Sequence, residues 1–172
     1  DNAIADTINN SGLIVAQVNE ATDEVYADRS NVVDPRFIQA IAVDIGANAT
    51  SGTFVNSGSV SALITGRNGE AIAIRDASGT LTMLENSGSI SALGVTSDDQ
   101  NLQATSFNLV ALDFSANTNG VTINQVAAVD DDTTDDVTPA DPSINGDILL
   151  GSGADTLNVS KGSITGDLAF GA

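Results

Sequence analysis

A seven-residue phrase occurs three times in this chain. It reads Asn10-Ser11-Gly12-Leu13-Ile14-Val15-Ala16, then Asn56-Ser57-Gly58-Ser59-Val60-Ser61-Ala62, then Asn86-Ser87-Gly88-Ser89-Ile90-Ser91-Ala92. Each copy joins a polar turn to a short alternating strand, and self-similarity of this kind constrains a fold more than any local propensity. A second phrase travels with it. Gln39-Ala40-Ile41-Ala42-Val43-Asp44, Glu70-Ala71-Ile72-Ala73-Ile74-Arg75-Asp76 and Leu109-Val110-Ala111-Leu112-Asp113 are apolar runs that close on a charge and lead into Ser/Thr/Asn/Gly turns. The first and second copies of the turn lie further apart than the second and third. The strand-bearing part of the unit is therefore constant, and the excursions between strands are not.

Short strands, Gly/Asn turns, almost no helical periodicity and a short repeating unit describe a solenoid. One unit cannot bury its apolar face alone. Wound into coils about 4.8 Å apart, the Ile, Val, Leu and Ala positions of successive units stack into one core. Strands built with Ala and Ser, and an aromatic content of only 3%, suit a narrow interior. A β-sandwich would explain the alternation equally well, but not the recurrence of the same turn words. The expected fold is therefore all-β, a right-handed parallel β-helix with projecting loops, its hand following the usual crossover preference. Asn10, Asn56 and Asn86 are expected to stack as a ladder. Gly12, Gly58 and Gly88 are expected to permit the bend at that corner.

Three stretches interrupt the pattern, at 19–38, 97–106 and 130–142. The first is charged and only loosely periodic, and a helical turn is expected near Asp34 to Ile38. The second opens on Ser97-Asp98-Asp99-Gln100-Asn101. The third is crowded with Asp and carries both Pro139 and Pro142, which excludes a central strand and describes an exposed loop. After it, Ile144-Asn145-Gly146-Asp147-Ile148-Leu149-Leu150-Gly151 matches Ile164-Thr165-Gly166-Asp167-Leu168-Ala169-Phe170-Gly171 at a spacing of 20. Residues 1–172 thus read as a single β-helix segment of a longer protein, because Asp1 is not an initiator and the chain stops inside a repeat.

Charge and residue usage narrow the function. A net charge of −18, from 23 acidic and five basic residues, argues against nucleic acid and against an anionic membrane surface as partners. No apolar run approaches the roughly 18 residues of a membrane span. With no His and no Cys, an imidazole triad, a thiol nucleophile and an ordinary zinc site are excluded. Paired carboxylates can cleave polysaccharides, with Arg67 or Arg75 as the cation beside them. However, 19 Asp bring some pairs together by chance, and sugar-binding clefts draw on aromatics and cations that are scarce here. The chain therefore reads as non-enzymatic.

Asp147 and Asp167 hold the same position in consecutive units, so the fold should stack them about one coil apart. If turn carbonyls converge on them, the hard oxygen ligands suit Ca²⁺; if they face water, they are a solvated edge. Asp155 joins them through Gly151-Ser152-Gly153-Ala154-Asp155-Thr156-Leu157. That stretch resembles one incomplete copy of the calcium-binding Gly-rich nonapeptide of repeats-in-toxin proteins. Leu150 stands where that motif has its first Gly, and no tandem neighbour follows. The candidate metal residues are Asp147, Asp155 and Asp167, Ca²⁺ is the candidate ion, and no other cofactor is expected.

The Asn-Ser-Gly-(Ser)-Ile/Val-Ser-Ala units, followed by Asn145-Gly146-Asp147-Ile148 and the run from Gly151 to Gly166, resemble passenger regions of bacterial autotransporters, the type V secreted proteins of Gram-negative envelopes. The resemblance implies a right-handed β-helix exported through an outer-membrane β-barrel and secreted or displayed on the cell surface. It implies a role as adhesin or structural stalk, with other cell-surface proteins, glycans or copies of the chain itself as partners, and flanking coils or a cap over the ends. The protease members carry a separate domain with a His-bearing triad, and neither that nor a barrel is found here. A calcium-stabilised secreted repeat and a polysaccharide-active enzyme fragment are the alternatives.

Overall fold

Apolar residues at every second position give each repeated strand one face for a core and one for water. The computed structural model, which describes residues 2–20, 37–96, 106–130 and 138–171, winds these strands into five coils. The first coil holds β1 (Ile4–Asn10), β2 (Leu13–Asn19) and β3 (Ile38–Ile45). The second holds β4 (Thr50–Asn56), β5 (Ser59–Gly66) and β6 (Asn68–Asp76). The third holds β7 (Met83–Asn86), β8 (Ser89–Thr96) and β9 (Ser106–Phe114). The fourth holds β10 (Thr122–Gln125), β11 (Ser143–Asn145) and β12 (Asp147–Leu150). The fifth holds β13 (Thr156–Val159), β14 (Ser163–Thr165) and β15 (Leu168–Ala169).

Every third strand pairs in parallel, giving three five-stranded sheets: sheet A (β1-β4-β7-β10-β13), sheet B (β2-β5-β8-β11-β14) and sheet C (β3-β6-β9-β12-β15). The expected right-handed parallel β-helix is the fold. Among the described residues there is no helix, and so none long and apolar enough to cross a membrane.

The recurring words mark equivalent positions. Ser59-Val60-Ser61-Ala62 pairs residue for residue with Ser89-Ile90-Ser91-Ala92, and Gln39-Ala40-Ile41 with Glu70-Ala71-Ile72. The chain beyond 142, whose own match recurs at a spacing of 20, continues the same columns: Ser143-Ile144-Asn145 pairs with Ser89-Ile90-Ser91 on one side and Ser163-Ile164-Thr165 on the other.

Three inward columns, one per sheet, form the main core. Phe54, Leu84 and Ile123 come from sheet A, Val60, Ile90 and Ile144 from sheet B, and Ile74, Leu112 and Ile148 from sheet C. A smaller cluster, Ala40, Ala62, Ile64, Ala71 and Ala92, fills the corner between sheets B and C, where small side chains let the sheets approach. One core position is mismatched. The hydroxyl of Ser51 is fully buried without a hydrogen-bond partner. Replacing it with Ala removes an unmet polar group at almost constant volume, so Ser51→Ala is expected to raise stability by up to about 1 kcal/mol in a urea titration.

The expected Asn ladder forms at the corner between sheets A and B. Asn10 Nδ2 donates to Asn56 Oδ1 at 2.8 Å, and Asn56 Nδ2 to Asn86 Oδ1 at 2.8 Å. The fourth coil extends it with Gln125, whose Oε1 accepts from Asn86 Nδ2 at 3.4 Å and whose Nε2 donates to the carbonyls of Lys161 and Ser163, both at 3.1 Å.

The stacked glycines beside the ladder act differently from the expectation. Gly12, Gly58 and Gly88 all have ordinary negative or extended φ, so the bend needs no left-handed residue there. What excludes a side chain is proximity. A Cβ on Gly58 would lie 2.0 Å from the Gly12 carbonyl oxygen, and one on Gly88 2.0 Å from that of Gly58.

The expected excursions at 19–38, 97–106 and 130–142, and the helical turn near Asp34 to Ile38, fall mostly outside the described residues. Their attachment points are within them. The chain leaves the coils after Glu20 and after Thr96, both at the corner between sheets B and C, and after Asp130, between sheets A and B. The connections from sheet C to sheet A stay short in every coil, the longest being 115–121.

Candidate functional site

Each corner of the triangle places its own chemistry. Between sheets C and A, side-chain oxygens cap the turn. The Asp76 carboxylate, 1% exposed, accepts from the amides of Ser78 (3.0 Å), Gly79 (3.2 Å) and Leu81 (2.9 Å) and from the Ser78 hydroxyl (2.5 Å). One coil on, Asn117 Oδ1 accepts from the amides of Asn119 and Gly120, both at 2.9 Å, and its Nδ2 donates to the Leu81 carbonyl at 2.6 Å. After the fourth coil, Asp155 Oδ1 accepts from the Val121 amide at 2.9 Å. At Asp76 and Asn117 a short side-chain oxygen bonds to backbone a few residues on, as Asp and Asn do in tight turns, whereas the Asp155 bond crosses to the preceding coil. Asp155 is the member of this set that the sequence singles out as a candidate ligand; Asp76 closes the second recurring phrase, and Asn117 stands outside it.

Asp147 and Asp167 stand at the corner between sheets B and C. They are stacked one coil apart, with Asp147 Oδ1 accepting from the Asp167 amide at 2.8 Å and the Asp167 carbonyl accepting from the Ile148 amide at 2.8 Å. The fold thus brings Asp147 and Asp167 together and sets Asp155 on another corner. Among the described residues, no three of the acidic side chains gather as a cation ligand set. The same corner of the first two coils carries Glu20 and Arg67. The Arg67 guanidinium forms an ion pair with the Glu20 carboxylate, which also accepts the Arg67 backbone amide at 3.0 Å.

Sheet C carries most of the charge of the strands, largely on its outer face. Glu70 accepts from Gln39 Nε2 and Asn108 Nδ2, each at 2.6 Å, so an acid is stacked between two amides. Beside it, Arg75 is stacked between Asp44 and Asp113. Its Nε and Nη2 reach Asp44 Oδ1 and Oδ2 at 2.9 and 2.7 Å, a bidentate pair. The hydrogen bonds from Arg75 hold the Asp44 carboxyl below the usual carboxylate range, and in return Asp44 raises Arg75, helped by Asp113 and Glu70. Because the folded value of Asp44 is the lower one, the pair adds stability above the unfolded carboxylate range and loses it as pH falls through the folded value. At this exposure the gain is about 0.5 kcal/mol or less. In Arg75→Gln, the Asp44 carboxyl resonance is expected to titrate at a higher pH, and an NMR pH series reads that shift directly.

Sheet B is different. Its five strands contain no Asp, Glu, Lys or Arg in a chain of net charge −18. Its outer face is ruled in columns: Leu13, Ser59, Ser89, Ser143 and Ser163; then Val15, Ser61, Ser91, Asn145 and Thr165; then Gln17, Leu63 and Leu93. The hydroxyls bond along the columns, Ser89 to Ser59 at 2.9 Å and Ser91 to Ser61 at 3.1 Å. The sequence shows this face plainly in its repeated Ser-x-Ser words, but its significance depends on knowing that all five strands share one sheet.

Compared with protein-family models, with curated proteins and with solved structures, the chain matches none.

Proposed function

We propose that this chain is a segment of a secreted or cell-surface β-helix, of the autotransporter-passenger kind, that acts as adhesin or structural stalk and binds through its excursions. The observation that carries the reading is where those excursions attach. All three leave from the two corners that border sheet B, and none leaves from the corner between sheets C and A. Loops that vary on a rigid scaffold are where binding specificity is placed at low cost to the fold, and these three share one side of it. The absence of His and Cys supports a non-catalytic role. The test is adhesion of beads coated with the chain to cells and to immobilised glycans. Replacing 21–36, 97–105 and 131–137 with short Gly-Ser links should abolish adhesion while leaving the far-UV circular dichroism spectrum β-rich. Adhesion that survives all three replacements would overturn the reading.

The stacking of Asp147 over Asp167 favours a second reading, a calcium-stabilised repeat, since two carboxylates one coil apart attract a hard cation. Thermal unfolding with excess Ca²⁺ and then with EDTA decides it. A midpoint raised by many degrees in Ca²⁺, and lowered in Asp147→Asn, supports the ion; superimposable curves exclude it.

A further inference from the structure

We infer that the Arg67–Glu20 ion pair is a positioning element that makes the excursions at 21–36 and 97–105 one binding surface, an assignment that rests on the adhesive reading proposed for them. Both interrupt the corner between sheets B and C, one in the first coil and the other in the third. The second coil turns the same corner in one residue, Arg67, between β5 and β6. The two excursions are therefore rooted two coils apart. At a strand spacing of about 4.8 Å that is about 10 Å, the separation at which side chains of stacked sheets interlock.

Residues 65–69 of the second coil touch all four roots. Where the first excursion departs, the Glu20 amide donates to the Thr65 carbonyl at 2.7 Å, and the Glu20 carboxylate accepts the Arg67 amide at 3.0 Å. Beside its return, Ile38 lies opposite Gly69. On the other side, Gly66 pairs with Thr96, from which the second excursion departs. The Arg67 carbonyl accepts the amide of Ser106, where it returns, at 3.2 Å. The corner is also tight. A Cβ on Gly66 would lie 3.0 Å from Glu20 Cβ and from Ile38 Cδ1, and one on Gly69 would lie 2.3 Å from the Ile38 carbonyl oxygen.

The pair sits where it fixes a direction. The chain leaves the first coil after Glu20, and Arg67 Nε reaches both Glu20 carboxylate oxygens at 3.1 Å while Nη2 bonds to Oε1. The planar guanidinium sets an angle as well as a distance. Its side chain and that of Glu20 are 14% and 9% exposed, and the other ion pairs joining described residues are more exposed. Desolvating two such charges largely offsets their attraction, so apolar residues would close the corner at equal or lower cost. What apolar residues would not supply is a fixed register between Glu20 and Arg67, and through the Arg67 carbonyl between Glu20 and Ser106. The third excursion leaves after Asp130, across sheet B at the corner with sheet A, and so stands outside this arrangement.

Bead adhesion and amide hydrogen exchange of the 172-residue chain are the test. Glu20→Gln combined with Arg67→Met removes both charges at similar volume and keeps a side-chain oxygen for the amide of residue 67. This double variant should melt within a few degrees of the parent. Its beads should need about tenfold more coating for the same adhesion to cells, and the amides of residues 20 and 106 should exchange about tenfold faster. Arg67→Lys keeps the charge but not the fork, and should fall between the two. Replacing 21–36 or 97–105 alone should cost nearly as much adhesion as replacing both, whereas replacing 131–137 should add its own loss to either. Parent-like adhesion in the double variant, unchanged exchange at residues 20 and 106, or independent losses for the first two excursions would each overturn the proposal. Should the double variant unfold, Arg67→Lys and the excursion replacements decide by the same criteria. The two proposals fail separately: a parent that does not adhere removes the adhesin and leaves the exchange rates to decide the pair, and an adhering parent matched by its double variant removes the pair alone.

Discussion

Asn56→Asp is expected to destabilise the chain by about 3–5 kcal/mol at neutral pH, although it changes one NH₂ into one oxygen. Asn56 is completely buried. Its amide nitrogen faces three acceptors, Asn86 Oδ1 at 2.8 Å and the carbonyls of Ser89 at 3.2 Å and Gly58 at 3.3 Å. A carboxylate there would aim lone pairs at lone pairs, away from water, with no cation to pair with. For a chain of this size the midpoint of thermal unfolding should fall by about 10 °C or more. The same environment favours the protonated carboxyl, so the folded value of the new group lies above its unfolded value. The loss relative to the parent is then smallest below the ordinary carboxylate range and grows as pH rises. Asn124→Asp is the control. Asn124 lies on the outer face of sheet A, and its side-chain oxygen accepts from Asn158 Nδ2 at 2.9 Å, a role that a carboxylate keeps. It lies opposite Glu85, so the second carboxylate should cost no more than about 1 kcal/mol, well below the loss at Asn56.

Gly58→Ala and Gly88→Ala are expected to cost about 3 kcal/mol each, and Gly12→Ala next to nothing. The added methyl on Gly58 would meet the Gly12 carbonyl oxygen at 2.0 Å and that on Gly88 the Gly58 carbonyl oxygen at 2.0 Å, whereas nothing lies within 4 Å of a methyl on Gly12. The obstructing oxygens are fixed, because they accept the amides of Ser59 at 2.8 Å and Ser89 at 2.9 Å across the coils. Relief therefore means breaking the coil-to-coil bond at the corner. Hydrogen exchange at Ser59 and Ser89 should report the break even if the remaining coils hold. Equal effects at all three glycines would mean that backbone entropy, not contact between coils, sets their cost.

The repeats show the architecture because side chains that stack across coils have to match. Ser59 over Ser89, Ala62 over Ala92 and Asn56 over Asn86 are identical in the chain as well as adjacent in space. Where chemistry rather than identity is kept, the pattern is harder to read. Gln125 takes the ladder position of Asn86, and its extra methylene lets it reach the carbonyls of Lys161 and Ser163, so no search for a fourth Asn-Ser-Gly would find it. Asp76, Asn117 and Asp155 all bond to backbone at one corner, but from different positions, Asp76 in the column of Ile45 and Asp155 reaching across to Val121, so no repeat marks them as a set. Of the candidate cation residues, the regular spacing places Asp147 beside Asp167, because one coil there has constant length. A local motif groups Asp155 with them, and such a motif carries no information about which corner a turn occupies.

The ladder also gives the solenoid an electrical direction. Each amide in the series from Asn10 through Asn56 and Asn86 to Gln125 donates toward the later coil, and Asn56, Asn86 and Gln125 accept from the earlier one. Their dipoles therefore add head to tail along the axis, as peptide dipoles add in a helix, in a structure whose sheets contribute little net dipole of their own. The positive end points toward the fifth coil, where Val159 holds the equivalent position and Gln125 turns its nitrogen onto main-chain oxygens. A row of four buried amides is thus a short polarised wire with a defined terminus, and reversing Asn56 or Asn86 would set like ends against each other on both sides.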